Sequence, residues 1–230
     1  MQQVAIIPGS LSAIAKRDGQ SLAESFLSAD AVIIVDTSGS MCTCDSRSGK
    51  SRYDVALEEL AQLQAKMPGK IAVLAFSDST VFAPGGQPPL LGGGTDLAGA
   101  LKFAKVADVE GMRFVVISDG LPDSADAALS VAATYTNRID TIFVGPEDDW
   151  GGGRAFLACL AKKSGGQYVT ADRAQELAER TERVLLTAQK RSEMLLDTPA
   201  TTCYHSHKSG ETEMRGAFSG ACGYDRRRDR

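Results

Sequence analysis

The stretch VDTSGSMCTC, residues 35–44, sets a carboxylate at Asp36 and hydroxyls at Ser38 and Ser40, directly after the apolar run AVIIV. Two other segments have a related build. GGGTDL supplies Thr95, and ISDG supplies Asp119 behind a second apolar run. Together these are two carboxylates and three hydroxyls, with no thiolate and no imidazole among them. Hard oxygen donors of this kind suit Mg²⁺, with waters completing the octahedron, or Mn²⁺. Two carboxylates balance a dication, while hydroxyls add dipoles without charge. An ion with one position open would accept an anionic oxygen, such as a Glu or Asp of a partner.

For these oxygens to meet, three loops must share one end of a sheet, and the hydrophobic pattern provides for that. Residues 31–36, 70–78 and 112–120 are continuous apolar runs rich in β-branched residues, the signature of strands buried on both faces. Residues 138–145 and 167–171 read as two more strands. STVFAP, 79–84, follows its predecessor so closely that it can only be an antiparallel hairpin partner at an edge. Helices are predicted between them: 51–66, stopped by Pro68 and Gly69; 95–107, capped by Thr95 or Asp96; 124–135, capped by Ser124; 153–164, stopped by Gly165 and Gly166; and 173–195. Strands alternating with helices over short turns predict an α/β fold. It is a doubly wound, mainly parallel sheet with one antiparallel edge strand and helices on both faces. Such sheets bind ligands beyond the carboxyl ends of their strands, where Asp36 and Asp119 fall.

The three-part set D-x-S-x-S (Asp36, Ser38, Ser40), Thr95 and Asp119, in this order and on this strand-helix pattern, resembles the metal-ion-dependent adhesion site of the von Willebrand factor A domain family. The resemblance covers about residues 30–190. It implies that Ser38, Ser40 and Thr95 ligate the ion directly, and that Asp36 and Asp119 act directly or through water. It implies a domain that binds protein partners and is not itself an enzyme. In several members the last helix shifts when the site is occupied. Intracellular bacterial and archaeal members work with AAA+ ATPases of the MoxR type or in multiprotein assemblies.

Other readings were weighed on the same residues. SGKS, 48–51, invites a phosphate-binding loop, but Cys44 stands where that loop needs a glycine. A phosphatase using Asp36 as nucleophile would need a second aspartate two residues on, and Ser38 is there instead. Cys42 and Cys44 form a C-x-C pair that is either a soft-metal or redox site or simply two small loop residues. In the C-terminal stretch Cys203, His205, His207 and Cys222 offer four zinc-type donors, against the alternative of a disordered tail. Trp150, in the loop GPEDDWGGGR, is either a surface anchor for a partner or folded back over its own helix.

Composition bounds the rest. The 230 residues carry a net charge of -4, so no basic surplus marks nucleic acid as a partner. No apolar run approaches the roughly 18 residues of a membrane span, and the N-terminus does not read as a signal peptide. Five scattered cysteines do not suggest a disulfide framework. The expectation is a cytoplasmic protein with an N-terminal extension at 1–29, the metal-binding domain at 30–197 and a tail at 198–230. Its expected role is a Mg²⁺-dependent adaptor or assembly component. The alternatives are a structural subunit of a large particle and, further off, a metal-dependent hydrolase or phosphatase. Asp36 is expected to face solvent, so that its removal would leave the fold intact.

Overall fold

The computed structural model describes residues 6–146 and 152–171. Six strands form one sheet: β1 (Ala31–Asp36), β2 (Ile71–Phe76), β3 (Thr80–Phe82), β4 (Arg113–Ser118), β5 (Ile139–Phe143) and β6 (Tyr168–Thr170). Their order across the sheet is β3-β2-β1-β4-β5-β6. Every neighbouring pair is parallel except β2 and β3, where the tight turn after Phe76 allows only an antiparallel return. The expected α/β class, the edge hairpin and the helices on both faces are therefore present.

β1, β2 and β4 are buried along their whole length, which is why no polar alternation interrupts their sequences. The pleat divides their side chains. Ala31, Ile33 and Val35 point to one face, where Val55, Ala56, Leu60 and Leu63 of α3 (Arg52–Lys66) meet them. Val32 and Ile34 point to the other face. Leu97 and Leu101 of α4 (Leu97–Ala104), Ala128 and Ala132 of α5 (Ala125–Ala132), and Leu157 and Leu160 of α6 (Gly153–Lys163) pack there. Two of the starts expected from capping are seen, and Ser51 supplies a third that was not expected. Ser51 accepts from Asp54 N, Asp96 from Gly99 N and Ser124 from Ala127 N. Asp96, and not Thr95, caps α4, which leaves the Thr95 side chain out of the cap.

The N-terminal segment carries two short helices. Ser10 and Gly19 cap a helix, α1 (Leu11–Asp18), and a capping box at Ser21 and Glu24 starts α2 (Leu22–Leu27). Leu11 is 1% exposed and belongs to the same core as Val32. Phe26 meets Phe82 edge to face at 5.7 Å, so α2 packs against the β3 edge. Ile6 forms one antiparallel bridge with Gly86. Among the described residues no helix is long and apolar enough to cross a membrane. The helix expected at 173–195, the loop residue Trp150, and Cys203, His205, His207 and Cys222 lie outside the described residues.

Candidate metal centre

Parallel strands β1 and β4 are hydrogen-bonded neighbours and end together, so the loops after Asp36 and Ser118 start side by side. Asp36 is fully buried, contrary to the solvent-facing position expected of it. Its Oδ1 accepts from Ser38 N at 2.9 Å and its Oδ2 from the Ser118 hydroxyl at 2.6 Å. Burial pushes its carboxyl up to about 6 from an ordinary 3.8; the Ser118 and Ser38 hydrogen bonds pull it down, and the nearby charge of Asp119 adds to the rise.

The serines lie one turn further on. Gly39–Cys42 form a short 3₁₀ turn, which brings the Ser38 and Ser40 hydroxyls within 3.1 Å of each other. Ser38 is buried and Ser40 half-exposed, so this pair runs from the interior to the surface.

The Thr95 loop is sewn to this turn through its backbone. Gly39 N donates to Gly93 O at 3.0 Å, Gly92 N to Thr37 O at 2.8 Å, and Asp96 N to Ser77 O at 2.8 Å. Gly93 has φ +85° and a Cβ there would lie 2.1 Å from Asp78 Oδ2, so only glycine fits the crossing. The third loop is tied in by Asp123. Its carboxylate accepts from Thr95 N at 3.0 and 3.1 Å, and its own N–H donates back to Thr95 O at 3.0 Å.

Asp119 is held from two directions. Its backbone oxygen faces Gly153 at the start of α6, where any Cβ would lie 2.1 Å away. Its Oδ2 accepts from Arg52 Nη1 at 2.7 Å. Its Oδ1 is buried and has no hydrogen-bond partner among the described residues. A buried carboxylate oxygen left bare is costly enough to require an explanation. No cluster of three or more carboxylate, imidazole or thiolate groups gathers in one place among the described residues. Asp36, Asp119, Ser38, Ser40 and Thr95 offer a cation at this end of the sheet carboxylate and hydroxyl oxygens, a hard donor set that fits Mg²⁺ or Mn²⁺ better than a soft metal. Cys42 and Cys44 are both exposed and unpaired, with Cys44 Sγ 3.7 Å from Cys42 O.

Sequence reasoning missed four side chains here: Arg52, Ser118, Asp123 and Asp78, whose Oδ1 accepts from Gly94 N at 3.0 Å. Asp123 and Ser118 had a signal, since both flank Asp119 in ISDGLPDS. Arg52 had none beyond its place at a helix start.

Two solved structures share this arrangement of elements. An aerotolerance-related membrane protein from Bacteroides fragilis is 19% identical, with a TM-score of 0.53, over 66% of this chain and 96% of its own. The manganese-loaded TRAP protein of Plasmodium vivax is 18% identical, with a TM-score of 0.51, over 67% of this chain and 73% of its own. The fold is von Willebrand A-like. A von Willebrand factor type A protein from Catenulispora acidiphila is also similar, at 18% identity and a TM-score of 0.46, over 66% of this chain and 41% of its own. No family model and no curated protein matches the sequence. In this von Willebrand A-like frame the D-x-S-x-S turn, the Thr95 loop and the Asp119 loop occupy one end of the sheet, as their order in the sequence implied.

Proposed function

We propose that this chain is a protein-binding module whose site holds Mg²⁺ or Mn²⁺ and recognises a carboxylate of its partner. The observation that carries the reading is Asp119 Oδ1, buried without a hydrogen-bond partner at the end of β4, the strand paired with β1, whose own end carries Asp36. Asp119, Ser38, Ser40 and Thr95 would hold the ion, and Asp36 would balance its charge either directly or through water. When bound, the dication supplies a positive centre at the surface that an anionic oxygen can complete.

The chain's own residues perform the rest. Ser118 and the Ser38 N–H fix the orientation of Asp36, and Asp123 fixes the Thr95 loop. Leu90 and Leu91, in the loop leading to Thr95, and Leu121, in the loop leaving Asp119, are exposed large apolar side chains. They suit the rim of a protein interface, where apolar contacts surround a charged centre. The manganese in the similar TRAP protein supports a divalent ion on this fold. The reading assigns no catalysis, since Ser38 stands where a phosphatase would need its second carboxylate. It covers an intracellular adaptor or assembly component, with an AAA+ ATPase of the MoxR type as one partner class; sedimentation of the purified chain separates this from a self-assembling particle subunit.

The test is affinity purification in Mg²⁺, followed by direct measurement of the captured partner's affinity in Mg²⁺ and in EDTA. Loss of a buried charge-assisted contact costs about 2–5 kcal/mol, so EDTA, the double change Ser38→Ala with Ser40→Ala, and Thr95→Ala should each weaken binding at least 30-fold or so. Equal affinity in Mg²⁺ and EDTA would refute the proposal.

A further inference from the structure

Arg52 opens α3 and joins two acidic residues of different character. Its Nη1 donates to Asp119 Oδ2 at 2.7 Å, while Nε and Nη2 donate to the two oxygens of Asp45 at 2.7 and 2.6 Å. The Asp119 side chain is 1% exposed, that of Arg52 13% and that of Asp45 36%, so the three run from the metal centre to solvent. The other basic residues of this segment are engaged elsewhere: Arg47 with Glu58 and Glu59, Lys50 with Glu58.

The structure assigns to Arg52 the role of a built-in competitor: its guanidinium shares the Asp119 carboxylate with the dication and holds metal affinity down, and Asp45 sets how strongly. This inference rests on the metal-site reading above. A positive charge bonded to one oxygen of Asp119 repels a dication approaching the other, and the repulsion is poorly screened where both are buried. Arg52 also neutralises Asp119 from inside the fold, which lowers the gain from adding a second cation. Asp45 opposes this from the solvent side by drawing on the same guanidinium.

Only arginine serves all three contacts. Two nitrogens form the fork to Asp45 and a third reaches Asp119 in one plane, which the point charge of a lysine cannot do. Its charge is also constant, so the competition does not switch with pH. The alternative role, in which Arg52 merely orients Asp119, predicts the opposite sign for the same substitution.

The experiment is Mn²⁺ titration of the full chain by calorimetry, with water-proton relaxation as a second readout. The set comprises wild type, Arg52→Gln, Arg52→Lys, Asp45→Asn and the double variant Ser38→Ala with Ser40→Ala. Arg52→Gln should bind Mn²⁺ roughly 10- to 100-fold more tightly, the range over which groups bonded to metal ligands act. Arg52→Lys keeps the charge but loses the fork, and should bind with an affinity between those of wild type and Arg52→Gln. Asp45→Asn, at an exposed position, should bind a few-fold more weakly. Weaker binding by Arg52→Gln would overturn the competitor role in favour of an orienting one, and unchanged binding would overturn both. Should Arg52→Gln fail to fold, Asp45→Asn decides, and unchanged or tighter binding there overturns the inference. Mn²⁺ binding abolished by the double serine variant but indifferent to Arg52 and Asp45 leaves the metal site standing and removes this inference alone. Binding by no variant removes both.

Discussion

Replacing Asp36 by Asn should make the chelated protein more stable at pH 7 while abolishing its affinity for Mn²⁺. The carboxyl is raised from 3.8 to about 6 because burial disfavours its charged form more than two hydrogen bonds favour it. Between those values the folded state binds more protons than the unfolded state, so stability falls as pH rises from 4 to 6 and stays lower above it. A difference of about two pH units at roughly 1.4 kcal/mol each amounts to about 3 kcal/mol carried by ionised Asp36. Asn approximates the protonated acid. Its Oδ1 can accept from Ser38 N, and its Nδ2 can donate to Ser118 Oγ, which already accepts from Gly120 N. Loss of charge-assisted character in these bonds offsets part of the gain, leaving about 1–3 kcal/mol. Urea denaturation in EDTA at pH 7.5 and at pH 4 measures this. The gain should appear at pH 7.5 and vanish at pH 4, and Mn²⁺ should protect wild type only. A variant less stable than wild type at pH 7.5 in EDTA, or one that still binds Mn²⁺ normally, would show that burial of Asp36 is not what the site is built around.

Three further outcomes are expected. Gly153→Ala should cost about 1–3 kcal/mol by overpacking, because its Cβ would lie 2.1 Å from Asp119 O, and the displaced loop should weaken Mn²⁺ binding; a melting curve and a titration both unchanged would contradict the close approach. Leu11→Ala should cost about 2–5 kcal/mol, since Leu11 is 1% exposed in the core beneath the sheet, and equilibrium unfolding that does not shift would show that α1 is not part of the cooperative unit. The rise in melting temperature given by saturating Mn²⁺ should be larger at pH 7.5 than at pH 5, because a proton on Asp36 competes with the ion below about 6; equal shifts at both pH values would place Asp36 outside the metal's reach.

What was legible in the sequence follows from the range of the interactions concerned. β1, β2 and β4 were legible because a strand buried on both faces is a local run of apolar residues. Ser124 was legible because a cap acts within three residues of itself. The Asp36 and Asp119 loops were legible as neighbours because adjacent parallel strands end together. Arg52 was not, because its partner Asp119 lies 67 residues away and nothing in the pattern of α3 marks that one face reaches across the loops. α1 escaped notice because LSAIAKRD buries only Leu11 and Ala15, too few to impose a period; its caps, Ser10 and Gly19, were the available sign. The depth of Asp36 was hidden by its chemical type, since a carboxylate at a strand end reads as a surface group until the neighbouring loops are seen to close over it.

Those loops also explain how a costly charge is tolerated. Asp36 forms no ion pair among the described residues; it is held by Ser118 and the Ser38 N–H, which orient the group without neutralising it. Asp119 has the cation, Arg52, and the bare oxygen. One carboxylate is thus positioned but uncompensated, and the other compensated but incompletely bonded. A site with both groups paired to arginine would gain little from a dication. A site with neither paired would bind it tightly and lose much of its stability in chelator. The observed division lies between these limits, and on the proposed reading it would make ion binding both favourable and reversible. On the same reading an ion held there would keep a net positive charge, and the half-exposed Ser40 marks the side from which a partner carboxylate would enter.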